Sequence, residues 1–411
     1  MRILFCHTNF PAQFRRLAPS LAEQGHEIVF LHKGIEWHAQ DARAVKRHIY
    51  KVSRLSSSVS GALHPYLGRF EDAVLEGQAA AREAIRLKDS GFYPDVIVSH
   101  AGFGNGLYLN DVFPNARRIG FFEWYYTSGV GGDVHFLHTL HGEEVPLDRA
   151  MRLRTWNAVT LLELAQCHEL VTPTQFQCQQ FPEPFRSKFH VIHEGIGAKH
   201  LQTLKSQRPP RPSCLPKDSN IRIVTHVARG FELYRGFPQS IAALAALQRS
   251  MHDVHVLIAG VDQICYGGPG HASTGETWGV WAKQSSGLDP KRTHWLGALG
   301  TNDYQALLAH SEAHLYLTIP FVLSWSLLEA MAIGAPLVAS DTQPVREVLT
   351  HGVDALLAPF DQPESLAASL QACLLDRGAS QNRAARAQER SLQYDASLGM
   401  EGWTRLLTSA R

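Results

Sequence analysis

Short apolar runs alternate with longer stretches of helical periodicity from the first residue onward, and the alternation stops once and then restarts. Parallel strands joined by crossover helices read this way, because each crossover carries the chain back along a sheet that is buried on both faces. The expected class is therefore α/β, with two doubly wound sheets. Residues 2–7 read as a strand, 14–24 as a helix closed by Gly25, and 27–32 as the next strand. Strands at 95–100, 118–123, 169–172 and 189–194 extend that first sheet. Strands at 221–227, 255–260, 293–297, 314–318, 336–340 and 355–358 imply a second, with helices from Gly236 and over 302–310.

The interruption lies at 202–220, where prolines and polar residues replace periodic hydrophobics, and it reads as a linker. A chain of 411 residues with 45% hydrophobic content exceeds what one core organises. The expected division is a domain over 1–201, the linker 202–220, a second domain over 221–385 and a helical segment over 386–411. In that last segment Trp403, Leu406 and Leu407 recur at helical spacing, which predicts that it packs back on the first domain.

A formal charge of +1 supplies no general attraction to nucleic acid, so no nucleic-acid partner is expected. The local basic run Arg43, Lys46, Arg47, Lys51 and Arg54 fits either a solvated face or a peripheral contact with lipid head groups. Six scattered cysteines form no CxxC pair, which argues against a zinc site or a disulfide framework and for a reducing compartment. No apolar run approaches the roughly 18 residues of a membrane span, and the first residues lack a signal-peptide core. The chain is expected in the cytoplasm, with the inner face of the membrane as the other location that fits. His135, His138 and His141 drift round a helix without an evident carboxylate partner, so no metal is expected there.

Ligands of doubly wound sheets bind beyond the carboxyl ends of strands, where helix N-termini present free amides. The stretch Ser324-Trp325-Ser326-Leu327-Leu328-Glu329 follows a strand and the helix-breaking Pro320, and suits a diphosphate. Residues 321–334, Phe-Val-Leu-Ser-Trp-Ser-Leu-Leu-Glu-Ala-Met-Ala-Ile-Gly, resemble the signature of glycosyltransferase family 4, the retaining transferases of the two-domain GT-B fold. So do residues 335–341 and 344–348 behind them. The resemblance extends to Val-Ala-Arg-Gly-Phe-Glu-Leu-Tyr-Arg-Gly at 227–236, to Trp-Leu-Gly-Ala-Leu at 295–299 and to Val-Ile-His-Glu-Gly-Ile at 191–196.

The resemblance implies a GT-B architecture and a sugar nucleotide as donor. Glu329 would accept hydrogen bonds from ribose hydroxyls, and amides around Ser324, Trp325, Ser326 and Leu327 would hold the diphosphate. Arg229 and Arg235 would clamp the same phosphates as charge grows on them, and main-chain groups near Ala298 and Leu299 would meet the base. The family's Glu-x7-Glu pattern puts its first glutamate, which contacts the donor sugar, where this chain has Phe321. Retention, a glycan, lipid or small-molecule acceptor on the first domain, and no obligatory metal or cofactor are also implied. Donor and acceptor would meet in a cleft between the two domains.

Each site residue has a plainer reading. Ser326-Leu-Leu-Glu329 fits a capping box, and isolated arginines are usually solvated. His100 and Glu123 each end a strand and are candidate catalytic residues beside the donor sugar or acceptor, against the ordinary role of a backbone-bonded side chain. The loop after the first strand, with Phe10, Pro11 and Gln13, is the candidate acceptor contact. Gly102-Phe-Gly-Asn-Gly106 is too unlike GxGxxG, and too far from the first βα turn, for a dinucleotide fingerprint. Within the same fold, a nucleotide-sugar epimerase or a phosphorylase is the nearest rival activity, and a degenerate scaffold subunit is the rival of another class.

Overall fold

Both expected sheets form. A computed structural model describes residues 1–36, 42–53, 63–207, 209–211, 220–268, 270 and 275–409. The chain divides into two compact units, Met1–Gly195 with Ala396–Arg411, and Ile196–Asp395.

In the first unit the strands of the main sheet are β1 (Arg2–Cys6), β2 (Glu27–His32), β3 (Lys46–Ile49), β4 (Val96–His100), β5 (Arg117–Phe121), β6 (Glu169–Thr172) and β7 (Phe189–Val191). They pair in parallel in the order β3-β2-β1-β4-β5-β6-β7. Strands β1, β4 and β5 are covered on both faces, as parallel sheets require, and in β5 the cover extends over Arg117 and Arg118. Strand β3 escapes a hydrophobicity reading because Lys-Arg-His-Ile lies largely exposed on the sheet edge, where charge blunts pairing with another chain. Lys46 there meets Glu27 at 2.7 Å and Arg47 meets Glu36 at 3.0 Å, so two of the cations set aside for lipid are ion-paired. Arg54 lies outside the described residues.

The helix expected over 14–24 is a 3-10 turn, Ala12–Phe14, followed by α1, Leu17–Glu23. Pro19 sets that start, since its missing amide is tolerated only in a first turn. The long helix α2 (Gly68–Asp89) and the helix α3 (Ala158–Gln166) complete the parts of this unit used below. Its core includes Phe5, Phe14, Phe30 and Phe121, and is closed by Trp403, Leu406 and Leu407 from the far end of the chain. Arg117 receives that end by donating to Leu406 O at 3.0 Å and Ser409 O at 3.1 Å, a cation on a helix C-terminus.

The second unit begins at Ile196, earlier than the expected boundary after residue 201. Helix α4 (Ala198–Leu204) buries Leu201 in this unit's core, and residues 205–207, 209–211 and 220 of the expected linker carry no helix or strand. Residues 208 and 212–219, with Cys214, lie outside the described residues. Strands β8 (Arg222–Gly230), β9 (Val254–Val261), β10 (Thr293–Gly297), β11 (Ala313–Tyr316), β12 (Leu337–Ser340) and β13 (Leu356–Ala358) pair in parallel in the order β10-β9-β8-β11-β12-β13. Helices α5 (Phe237–Ser250), α6 (Thr301–Ala309), α7 (Trp325–Ile333) and α8 (Arg377–Ser391) cross over or cover it. Helix α8 belongs here, not to the tail, because Ala387 joins the core around α7 and Gln388 donates to Ala332 O at 3.0 Å. Only α9, which spans Ala396–Thr408, joins the first unit. Among the described residues no helix is long and apolar enough to cross a membrane.

Candidate functional site

In the second unit the chain runs outward from β8 to β9 and β10, then returns to β11 on the other side of β8. The order of strands switches between β8 and β11, and the loops leaving them diverge to leave room for a ligand. The end of β8 carries one expected cation, Arg229, and the turn after it the other, Arg235, and the two stand differently. Arg229 is exposed, whereas Arg235 is 5% exposed. Gly236 turns the chain inward at φ 58°, and a Cβ there would lie 2.7 Å from Leu317, so glycine is required.

Arg235 donates through Nη1 to Thr318 Oγ1 at 2.9 Å, Val322 O at 3.1 Å and Tyr316 OH at 3.3 Å. Its guanidinium lies 4.8 Å from the Tyr266 ring and 6.0 Å from that of Phe321. Burial works to lower its pKa, but Tyr316, Tyr266 and Glu232 outweigh burial and raise it, so the group stays charged. Arg235 thus ties the β8 loop to the β11 loop across the switch point, a structural task beyond the expected clamp. Phe321 is enclosed, 4.9 Å edge-on to Tyr234 and 5.5 Å from Tyr266.

Helix α7 is capped by Ser324, whose side chain accepts from Ser326 N at 3.3 Å. Ser324 N donates to Tyr316 OH at 3.2 Å, and the two serine hydroxyls are 2.8 Å apart. A capping box would need its acidic partner three residues after the cap, at Leu327. Glu329 lies two residues further on, so the capping reading of Ser326 and Glu329 fails. Glu329 Oε2 accepts instead from Tyr304 OH of α6 at 2.9 Å. Leu327 is fully buried, its N donating to Ser324 O at 3.2 Å, and Trp325 packs against the same core. Ala298 is exposed just beyond β10, and Leu299 packs against Leu257 and Leu307.

Two residues absent from the sequence reading organise this end of the sheet. Glu232 is fully buried, and its Oε2 accepts from Tyr266 N at 2.8 Å, Cys265 N at 3.0 Å and Gly267 N at 3.3 Å. It fixes the loop after β9 so that Tyr266 lies over Arg235. Its position between the two arginines of the motif was a signal in the sequence.

In the first unit the switch falls between β1 and β4. His100, ending β4, and His7, just past β1, stand edge-on with ring centroids 4.6 Å apart. Asn9 N donates to His7 Nδ1 at 2.8 Å, which puts the ring proton on Nε2. Burial, then the nearby His100, push the His7 pKa well below the ordinary imidazole value, so this ring stays neutral. His100 Nε2 lies 3.2 Å from Glu123 Oε2, within ion-pair reach but poorly angled for a hydrogen bond. Gln13 Nε2 donates to Glu123 Oε1 at 2.9 Å, and Gln177 Nε2 to Glu123 O at 2.7 Å. Burial raises the Glu123 carboxyl, but His100, Gln13 and His193 together hold it below the usual carboxylate range.

His100, Glu123 and Gln13 therefore come together as one constellation. Phe10 does not join them: it is fully buried, 4.9 Å edge-on to Phe30, and Pro11 is buried too. Their side chains fill the core beneath the loop and leave Gln13 as the member of that trio facing the site. His7 was legible by the rule that found His100, a polar residue at the end of a strand flanking the switch. His138 does meet a carboxylate, Glu143 at 3.3 Å, but among the described residues no three metal-ligating side chains gather.

Two parallel α/β units, each with its polar side chains at a switch point, define the GT-B fold. The profile of the "Glycosyl transferase family 4 group" matches residues 24–201, and that of "Glycosyl transferases group 1" matches 212–390. By these two matches, which together span most of the chain, it is a glycosyltransferase. It is 37% identical over 84 residues to an exopolysaccharide phosphotransferase of Streptomyces coelicolor, covering 20% of this chain. It is 42% identical over 72 residues to a phosphatidyl-myo-inositol mannosyltransferase of Mycolicibacterium smegmatis, covering 18%. Those stretches span only 9% and 19% of the two relatives. A glycogen synthase of Mycobacterium tuberculosis aligns over 95% of this chain and 90% of its own length at 23% identity. The structure of HepE of Anabaena, solved with UDP and glucose, superposes with a TM-score of 0.67 at 17% identity, covering all of both chains.

Proposed function

We propose that the chain is a retaining glycosyltransferase that moves a sugar from a nucleotide-diphosphate donor on the second unit to an acceptor hydroxyl on the first. The observation that carries the donor reading is Glu329: Ser324 supplies the helix cap, so the carboxylate, which accepts from Tyr304 OH, is not a capping group and suits ribose hydroxyls instead. Arg229 and the main chain at the start of α7 meet the diphosphate, with Arg235 holding the two loops that frame it. Ala298 and Leu299 meet the base through their main chain.

In the transfer, the bond from the sugar's anomeric carbon to the diphosphate oxygen breaks and one to the acceptor oxygen forms on the same face. The acceptor proton goes to the departing phosphate. Cations and helix amides neutralise the charge that develops there, so no metal or other cofactor is needed. His100 and Glu123 steady the sugar or acceptor from the first unit.

The enclosure of Phe321 favours a second reading, a nucleotide-binding subunit that transfers nothing. A melting panel of UDP, GDP, dTDP and ADP tests the first step, since a ligand at 100 times its dissociation constant adds about 2.7 kcal/mol. One nucleotide should stand out, and no shift with any of them refutes the donor site. Product analysis with the matching sugar nucleotides then separates transfer from isomerisation and from mere binding.

A further inference from the structure

Just beyond β4 a large aromatic side chain is held in water by residues that are themselves buried. Phe103 is 48% exposed, between Gly102 at φ 94° and Gly104 at φ 88°, left-handed conformations that other residues avoid. The turn rests directly on α2: a Cβ on Gly104 would lie 2.1 Å from Ala73 O, and one on Gly77 would lie 2.6 Å from Gly104 O. Gly102 N donates to Glu163 Oε2 of α3 at 2.6 Å. Glu163 is fully buried and faces the equally buried Arg118 at 3.6 Å, which in turn donates to Gln166 Oε1 at 2.7 Å. A buried ion pair of this kind adds little net stability, and its effect here is positional: it fixes the turn that lifts Phe103 clear of the core.

The ring stands over the polar constellation of the same unit. Its centroid is 5.2 Å from that of His100 and 6.1 Å from that of His7. His7 and His100 are 3% and 2% exposed, and His7 Nε2 and His100 Nδ1 are buried without a hydrogen-bond partner. Beside them lie Glu123, with 22% of its side chain exposed, and Gln13. A rigid exposed aromatic next to a carboxylate and a planar amide is the chemistry that recognises a pyranose. The C–H face of the sugar packs on the ring while its hydroxyls take the carboxylate and amide. An alkyl chain would leave the polar groups unsatisfied, and a phosphate would meet a carboxylate.

We propose that Phe103 is the stacking platform for a sugar ring of the acceptor, with Glu123 and Gln13 taking its hydroxyls, so that the acceptor is a carbohydrate. This rests on the reading that the acceptor binds the first unit.

The test is calorimetry and saturation-transfer NMR on the full chain, with methyl glucopyranoside, methyl mannopyranoside and methyl galactopyranoside as probes and glycerol 3-phosphate and octanol as non-carbohydrate controls. At least one pyranoside should bind, with a dissociation constant raised about tenfold in Phe103→Ala and restored in Phe103→Trp. Glu163→Gln, which keeps the ring but weakens the tie to Gly102, should lie between. Affinity for the nucleoside diphosphate should be the same in all four proteins. Failure of every pyranoside to bind the wild type, or equal binding to Phe103→Ala, overturns the proposal, as does Phe103-dependent binding of a control alone. Phe103-dependent pyranoside binding without any nucleotide binding would keep the platform and discard the transferase reading.

Discussion

Replacing Glu329 by glutamine separates ligand binding from helix stability at the position where the two readings of the sequence competed. The substitution keeps the size of the side chain and an oxygen for Tyr304 OH, now 2.9 Å from Oε2, but removes the acceptor-only carboxylate. A hydrogen bond to a charged group contributes about 1.5–3 kcal/mol, so nucleoside diphosphate affinity should fall roughly 10- to 150-fold. Because Ser324 caps α7, the urea midpoint should hardly move. Ser324→Ala is the mirror experiment, expected to cost about 0.5–2 kcal/mol of stability through loss of the cap. Calorimetry with free nucleotide and with sugar nucleotide, beside urea titrations of both variants, measures each quantity. Unchanged affinity in Glu329→Gln, or a stability loss in it as large as that of Ser324→Ala, would refute the ribose assignment.

The two arginines should part company: Arg229→Ala, at an exposed site, should slow transfer on the order of 10²-fold with stability within about 0.5 kcal/mol of wild type. Arg235→Ala should in addition lose several kcal/mol in urea denaturation, about 1.5–3 for each hydrogen bond the guanidinium makes across the switch point; similar stability in the two variants counts against that tie. The second unit should also be acid-sensitive, because burial depresses His226 to about 4 and His314, with His226 beside it, to about 3. Below the unfolded value near 6.5 the unfolded chain takes up protons that the folded one refuses, so stability falls with pH, by about 2 kcal/mol per histidine at pH 5. Urea titrations at pH 7 and pH 5 should show the slope and His226→Asn should reduce it; a profile with no loss between those pH values removes both imidazoles from the account.

The alternation of periods made the two sheets readable because parallel strands buried on both faces carry near-continuous apolar runs, as β1 and β2 do. The same logic hid β3, whose Lys-Arg-His-Ile satisfies an exposed edge and carries no hydrophobic signal. At the site, strand ends could be located, so Arg229, Arg235, His100 and Glu123 were singled out as candidates. Burial could not be read off those positions. Nothing local distinguishes the exposed Arg229 from the enclosed Arg235, or the core-filling Phe10 from the solvent-facing Phe103, because tertiary packing decides each. Glu232, despite its place between the motif arginines, and Tyr266 received no role for a related reason: theirs depend on a loop-to-loop bond between residues 33 to 35 positions apart.

The first unit is assembled from both ends of the chain, with Trp403, Leu406 and Leu407 closing the core around Phe14 and Phe121. On the ribosome this imposes an order. Residues 1–195 emerge before α9 and wait for it until about 200 further residues have been made, some 10–40 s at ordinary elongation rates. Through that interval the apolar face that α9 will cover is open. The second unit, continuous from Ile196 to Asp395, can finish its core while the older half of the nascent chain is still incomplete.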